Sequence, residues 1–172
     1  PETPIAVFYP LESEMLSPAA FSMRPFIPRC AEFRKVADYD ICDSFMIADG
    51  YLQSKKDLIL MIGMKIPEET LQHIVDFAKQ RGRVWVRNDA QISVLHGDTT
   101  LDELARRQGC KLSSDSQPVS KGIYHFEKWP RLEPFASLPA NGNEERYQTV
   151  HQNHISCYIP KRLDFEIRKR AK

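Results

Sequence analysis

A chain of 172 residues, 42% hydrophobic and 27% charged, is long enough for one domain with its own core and lies in the globular range, which excludes a wholly disordered segment. Its net charge of +1 argues against a general nucleic-acid binder. The last twelve residues, "KRLDFEIRKRAK", hold six Lys/Arg and two acids, which leaves −3 on the rest and reads as a solvated basic tail.

In chain order, "IAVFY" (5–9) is a short apolar run ended by Pro10 and predicts a buried strand. "SPAAF" offers Ser17 as helix cap and Pro18 at the first helical position. Pro25 and Pro28 forbid one long helix, so a restart at Pro28 through Cys30, Ala31 and Val36 is expected. "YDICDSF" (39–45) alternates like a strand with Ile41 and Phe45 inward, and "DLILMIG" (57–63) is a continuous apolar run suited to a strand buried on both faces.

"PEETLQHIVDFAKQRG" (67–82) is the clearest helix. Pro67 stands at its start and Glu68 and Glu69 sit on the positive end of its dipole. Leu71, Ile74, Val75 and Ala78 make one apolar face, and Gly82 follows its end. "RVWV" (83–86) resumes a strand at once, completing a right-handed βαβ unit. Thr100 and Glu103 have capping-box spacing ahead of a helix ending at Gly109. Beyond residue 119, "GIYHFEKW" reads as a strand and "LEPFASLPANGNEE" as a loop. "HISCYIPKRLDFEIRK" reads as two strands around a turn near Pro160 and Lys161.

Together these elements predict an α/β domain: a flavodoxin-like, mostly parallel sheet with helices on both faces, finished by C-terminal antiparallel strands. Residues 1–118 form the α/β core and 119–172 the terminal strands and loop of a single domain. The chain opens without an initiator Met, so a segment excised from a larger protein is expected. No apolar run approaches membrane-span length, and "PETPIAVFYP" has neither the basic region nor the cleavage pattern of a secretory signal. A cytoplasmic location and no membrane partner are therefore expected. Cys30, Cys42, Cys110 and Cys157 are scattered without a CxxC and read as buried thiols, not as a disulfide framework or zinc site.

A nucleophile in an α/β hydrolase-like or amidotransferase-like domain stands on a strained strand-to-helix turn flanked by glycines. After Gly63 the chain reads "MKIPEE", and after "RVWV" it reads "RNDAQIS". Arg87, Asn88 and Asp89 occupy the place where a Gly-x-Cys-x-Gly would be needed, and Ser93 comes late without glycines. No catalytic residue is assigned. His96, followed by Gly97 and Asp98, offers a His beside a carboxylate, with helix-start capping as its plainer reading. His151 and His154 have a metal-compatible spacing without a nearby third ligand, so no metal is expected. Glu12 and Glu14 stand in a carboxylate-rich opening loop, and Asp38, Asp40 and Asp43 form a second acidic group; solvated charge is their plainer reading. Trp129 could stack on a sugar or pack the sheet edge. No GxGxxG or P-loop occurs and no cofactor is expected. The ligand-binding candidates are Glu12, Asn88, Asp89, His96 and Trp129.

The segment "DYDICDSFMIADGYLQSKKDLILMIGMKIPEETLQHIVDFAKQRGRVWV", with the opening "PIAVFYPLES" and closing "SCYIPKRLDFEIRK", resembles the class I glutamine amidotransferase-like accessory domain of glycoside hydrolases, the β-galactosidase trimerisation type. Asp49-Gly50-Tyr51-Leu52, Leu58 to Gly63, and Pro67 to Gly82 carry the likeness, which covers about residues 5–90 and, more loosely, 119–168. It departs at Arg81-Gly82, where family members usually carry two glycines, and residues 130–154 have no counterpart. The resemblance implies a domain that keeps the fold and lacks the nucleophilic cysteine. Its implied partners are a neighbouring catalytic domain, identical subunits, and carbohydrate. Two other readings stay open: a small-molecule (sugar) binding module, and a free-standing amidotransferase-like or ThuA-like enzyme using His96 or His151.

Overall fold

A computed structural model describes residues 3–16, 24–114, 120–130 and 132, together with the backbone of 147–152 and 155–160. Its elements in order are β1 (Ile5–Phe8), α1 (Leu11–Leu16), α2 (Phe26–Arg34), β2 (Asp40–Cys42), α3 (Ser44–Ala48), a 3₁₀ turn (Tyr51–Ser54), β3 (Asp57–Leu60) and β4 (Met64–Ile66). There follow α4 (Glu68–Gln80), β5 (Arg83–Arg87), β6 (Ile92–Val94), α5 (Leu101–Arg107), β7 (Leu112–Ser113), β8 (Gly122–Phe126), β9 (Tyr147–Gln152) and β10 (Ile155–Pro160). The main sheet runs β2-β1-β3-β5-β8-β7, with every pairing parallel. This is the expected α/β, flavodoxin-like architecture. The strand order reverses at β1, so the β1/β3 crevice is a topological switch point.

All four residues of β1 and of β3 are buried, as a parallel sheet covered on both faces requires. Register separates the faces. Asp57, Ile59, Trp85, Tyr124 and Phe126 share one face, because Asp57 aligns with Arg83, Ile59 with Trp85, and Trp85 with Tyr124. There Phe33 of α2 stacks on Tyr39 (5.4 Å) and meets Trp129 (4.9 Å), which in turn meets Phe126 (5.3 Å). On the opposite face lie Val84, Val86, Ile123 and His125, and α4 packs against β5 and β8. Gln72 of α4 and Gln108, just past α5, join the helices through a reciprocal amide pair of 3.0 and 2.5 Å.

Local chemistry explains most boundaries. Pro25 and Pro28 fall at the start of α2, where an N–H has no intrahelical acceptor, so the helix begins at Phe26, two residues before the expected restart. The expected strand 39–45 is only Asp40–Cys42, because Asp43 caps α3 by accepting from the Met46 N–H (2.9 Å). Ile41 and Phe45 are therefore exposed, 50% and 67%, instead of inward. The Thr100–Glu103 capping box forms as expected. Gly82 is demanded by close approach, since a Cβ there would stand 1.9 Å from the Phe77 ring.

The expected strand in "GIYHFEKW" is β8, an interior parallel strand, so the parallel core runs past residue 118. Residues 133–172 cluster as a separate unit, in which β9 and β10 pair antiparallel. Residues 155–160 pair with 147–152, and the segment after Pro160 lies outside the described residues. The expected helix start at Ser17 and Pro18 and the strand through Leu163, Phe165 and Ile167 lie outside the described residues. Among the described residues no helix is long and apolar enough to cross a membrane.

Asp57 is 2% exposed and accepts from Arg83 Nε (2.7 Å), Arg83 Nη2 (2.8 Å) and Trp85 Nε1 (2.8 Å). Asp57→Ala removes the acceptor of three hydrogen bonds, leaves the buried Trp85 Nε1–H unsatisfied and should lower unfolding stability by about 1–3 kcal/mol. Urea unfolding followed by Trp fluorescence and circular dichroism measures it; a loss below about 1 kcal/mol would show that water takes over the role of the carboxylate.

Candidate functional site at the carboxyl edge of the sheet

Ligands of open parallel sheets bind beyond the carboxyl ends of the strands. In this protein the two central exits run into each other. The chain leaving β3 becomes β4 and the chain leaving β5 becomes β6, and these pair in parallel, Met64 with Ile92 and Ile66 with Val94. Met64 N–H donates to Gln91 O (2.9 Å) and Leu95 N–H to Ile66 O (2.7 Å), closing the ladder at both ends. A nucleophile elbow needs a strand to turn straight into a helix. Both exits enter a strand instead.

Side chains brace the same edge. Arg29 of α2 donates to Met61 O (2.5 Å) beyond β3 and to Asp89 Oδ2 (2.6 Å) beyond β5. Arg87 donates to the other oxygen of Asp89 (3.0 Å), and its guanidinium stands 5.8 Å from the centre of the Trp129 ring. Ser13 of α1 accepts the Lys65 N–H (2.8 Å) and donates to Lys65 O, which ties α1 to β4. Cys30, Cys42 and Cys110 are free and buried. Burial pushes the Cys42 thiol up to about 12 and raises those of Cys30 and Cys110, so none offers a thiolate near neutrality.

Farther along the edge, beyond β5 and β8, a cleft of about 310 Å³ is lined by Asn88, Asp89, Gln91, Thr100, Asp102 and His125, with Val86, Ala90, Ile92 and Leu101 as its apolar wall. His125 is on β8 and Asp102 is in the first turn of α5, and His125 Nε2 lies 3.0 Å from Asp102 Oδ1. The imidazole beside Asp102 holds its carboxyl below the usual carboxylate range, with Arg106 (3.8 Å) adding to the effect, while burial opposes it. An ionised Asp102 can only accept, so His125 Nε2 carries the proton. The pair is half of an acid–base constellation. The hydroxyl lining the cleft with it, that of Thr100, accepts from the Glu103 N–H as a helix cap.

No protein-family model, curated protein or solved structure matches this chain.

The sequence-derived candidates scatter around this edge. Asn88 and Asp89 line the cleft. Glu12 is in the first turn of α1 beyond β1, outside the cleft lining, and its Oε2 is enclosed without a hydrogen-bond partner among the described residues. His96 is exposed on the turn after β6 and does not line the cleft. Trp129 is half-buried and packs on Phe33 and Phe126, the sheet-packing role named for it as the alternative to sugar stacking. His151 and His154 lie outside the residues whose side chains are described, as does Cys157. The described residues bring together no group of three or more His, Cys, Asp or Glu around one point. Asp102 and His125 are the two residues that sequence reasoning missed. One signal was available: His125 is the one residue able to carry a charge near neutrality in the otherwise apolar or aromatic run "GIYHF".

Asp102 also makes stability pH-dependent. Its folded-state pKa is depressed, so the contribution is present above the ordinary carboxylate value near 3.9 and is lost as pH falls through the lower folded value. Urea midpoints measured from pH 6 to pH 2 should fall less steeply for Asp102→Asn than for the wild type below about pH 4. Parallel curves would mean that the carboxylate gains nothing from folding.

Proposed function

We propose that this chain is a non-catalytic α/β module of a carbohydrate-active enzyme, a glycoside hydrolase, and that it serves contacts with identical subunits or with a neighbouring catalytic domain. One observation carries the non-catalytic part: the exits of β3 and β5 are consumed by the β4–β6 ladder, with Asp89 locked between Arg29 and Arg87 where a nucleophile would stand. The link to glycoside hydrolases is supported by the resemblance carried by Asp49 to Leu52, Leu58 to Gly63 and Pro67 to Gly82.

Support for a contact role comes from the edge of the sheet. Among the described residues β2 ends the strand order with no strand on its outer side, and Ile41 on β2 and Phe45 just after it stand exposed. Two such edges brought together by a two-fold axis would bury both side chains and extend the sheet.

Sedimentation of the purified chain should give a multiple of the chain mass. Ile41→Lys combined with Phe45→Glu should return it to a monomer with an unchanged circular dichroism spectrum. A wild-type chain that sediments as a monomer and hydrolyses glutamine or a nitrophenyl glycoside would overturn the proposal.

A further inference from the structure

The cleft beyond β5 and β8 is not consumed by the braces that close the rest of the edge. Its volume of about 310 Å³ is at the low end of the range of about 300–1,000 Å³ for small-molecule sites, which limits an occupant to about one sugar ring in size. Its charges are matched within the protein. Asp89 is held by Arg29 (2.6 Å) and Arg87 (3.0 Å), and Asp102 faces Arg106 (3.8 Å) and accepts a hydrogen bond from His125 (3.0 Å). A cation entering the cleft would compete with those partners, and an anion would meet two carboxylates.

What the lining leaves open is hydrogen bonding without net charge. Asn88 and Gln91 are exposed amides with both donors and acceptors. His125 commits its Nε2 proton to Asp102, and its Nδ1 has no protein partner among the described residues. In the neutral imidazole that nitrogen is an acceptor, with the tautomer set by the hydrogen bond to Asp102 before any ligand arrives. Val86, Ile92 and Leu101 supply an apolar wall for C–H groups.

We propose that this cleft, built from Asn88, Gln91, Asp102 and His125 against Val86 and Leu101, binds a small neutral polyhydroxylated molecule. One hydroxyl donates to His125 Nδ1, others exchange hydrogen bonds with the Asn88 and Gln91 amides, and the C–H face of the ligand lies on the apolar wall. No bond is made or broken. The site is independent of the contact role proposed above, since β2 stands at the far end of the strand order.

The test is titration of the isotopically labelled chain, read by amide and imidazole NMR shifts, with D-glucose and myo-inositol as neutral probes, ethanolamine as a cation and acetate as an anion. Saturable shifts at Asn88, Gln91, Leu101 and the His125 ring with a polyol, absent with ethanolamine and acetate, are expected. Affinity should fall about tenfold in His125→Gln. Asn88→Ala changes an exposed residue, keeps the fold and should also weaken binding. Unsaturable shifts with both polyols, equal affinity in Asn88→Ala, or saturation by ethanolamine or acetate alone would each overturn the proposal. Failure here leaves the oligomeric state, and with it the contact role, to be decided by sedimentation.

Discussion

The carboxylate of Asp57 is the constraint on which the sheet depends. It stands at the first position of β3, among residues that are otherwise apolar, and a buried carboxylate must be paired or it becomes a large penalty. Its partners Arg83 and Trp85 are on β5, two residues apart and on the same face. If β3 slipped by one residue against β5, Asp57 would pass to the opposite face and lose all three hydrogen bonds. The aliphatic residues of the two strands would tolerate such a slip far better. Lys55 acts in the same way on the other side: its ammonium, 3% exposed as a residue, donates to Thr3 O (2.8 Å) and Asp40 (2.7 Å) and lies 4.5 Å from the Tyr51 ring centre. Burial of the ammonium opposes its charge, but the Asp40 carboxylate and Tyr51 outweigh that and raise its pKa. Two charged anchors thus set the register of β2, β1, β3 and β5 from their amino ends.

Anchoring at one end has a consequence at the other. With the amino edge fixed by ionic groups, the carboxyl edge needs no further register signal, and its loops are free to serve a site. Over β3 and β5 that freedom is spent on the β4–β6 ladder and the Arg29–Asp89–Arg87 brace, which tie the two exits together. Among the described residues the edge stays open towards β8, where β7 contributes just two residues and the next cover is the start of α5. The location of the cleft follows from the strand order.

What was legible in the sequence was whatever is set locally. The helix 68–80 was readable because its apolar spacing, its two leading glutamates and Gly82 all agree, and β3 because an unbroken apolar run of that length has few other uses. The Thr100–Glu103 box needs only four residues to form, so it too could be read. The β2/α3 boundary failed because the alternation of 39–45 outweighed the signal of Asp43, a poor strand residue and a strong helix cap. Non-local facts were out of reach. That β8 lies between β5 and β7, and that Asp102 meets His125 across 23 residues, depends on sheet order, which no short segment encodes.

β8 shows why that meeting is more than an incidental contact. Its residues alternate between two packed faces, with Tyr124 and Phe126 facing the Trp85 side and Ile123 and His125 facing the helices. An aliphatic side chain at position 125 would satisfy the strand at no polar cost, whereas an imidazole there needs a partner. Asp102 provides it, and the Thr100–Glu103 capping box that fixes the first turn of α5 also fixes the direction of the Asp102 carboxylate. The helix start therefore has two coupled tasks, ending its own backbone correctly and holding one histidine in a single tautomer at the mouth of the cleft. A core requires only the first of these, and the second has a use when something in the cleft meets the remaining nitrogen.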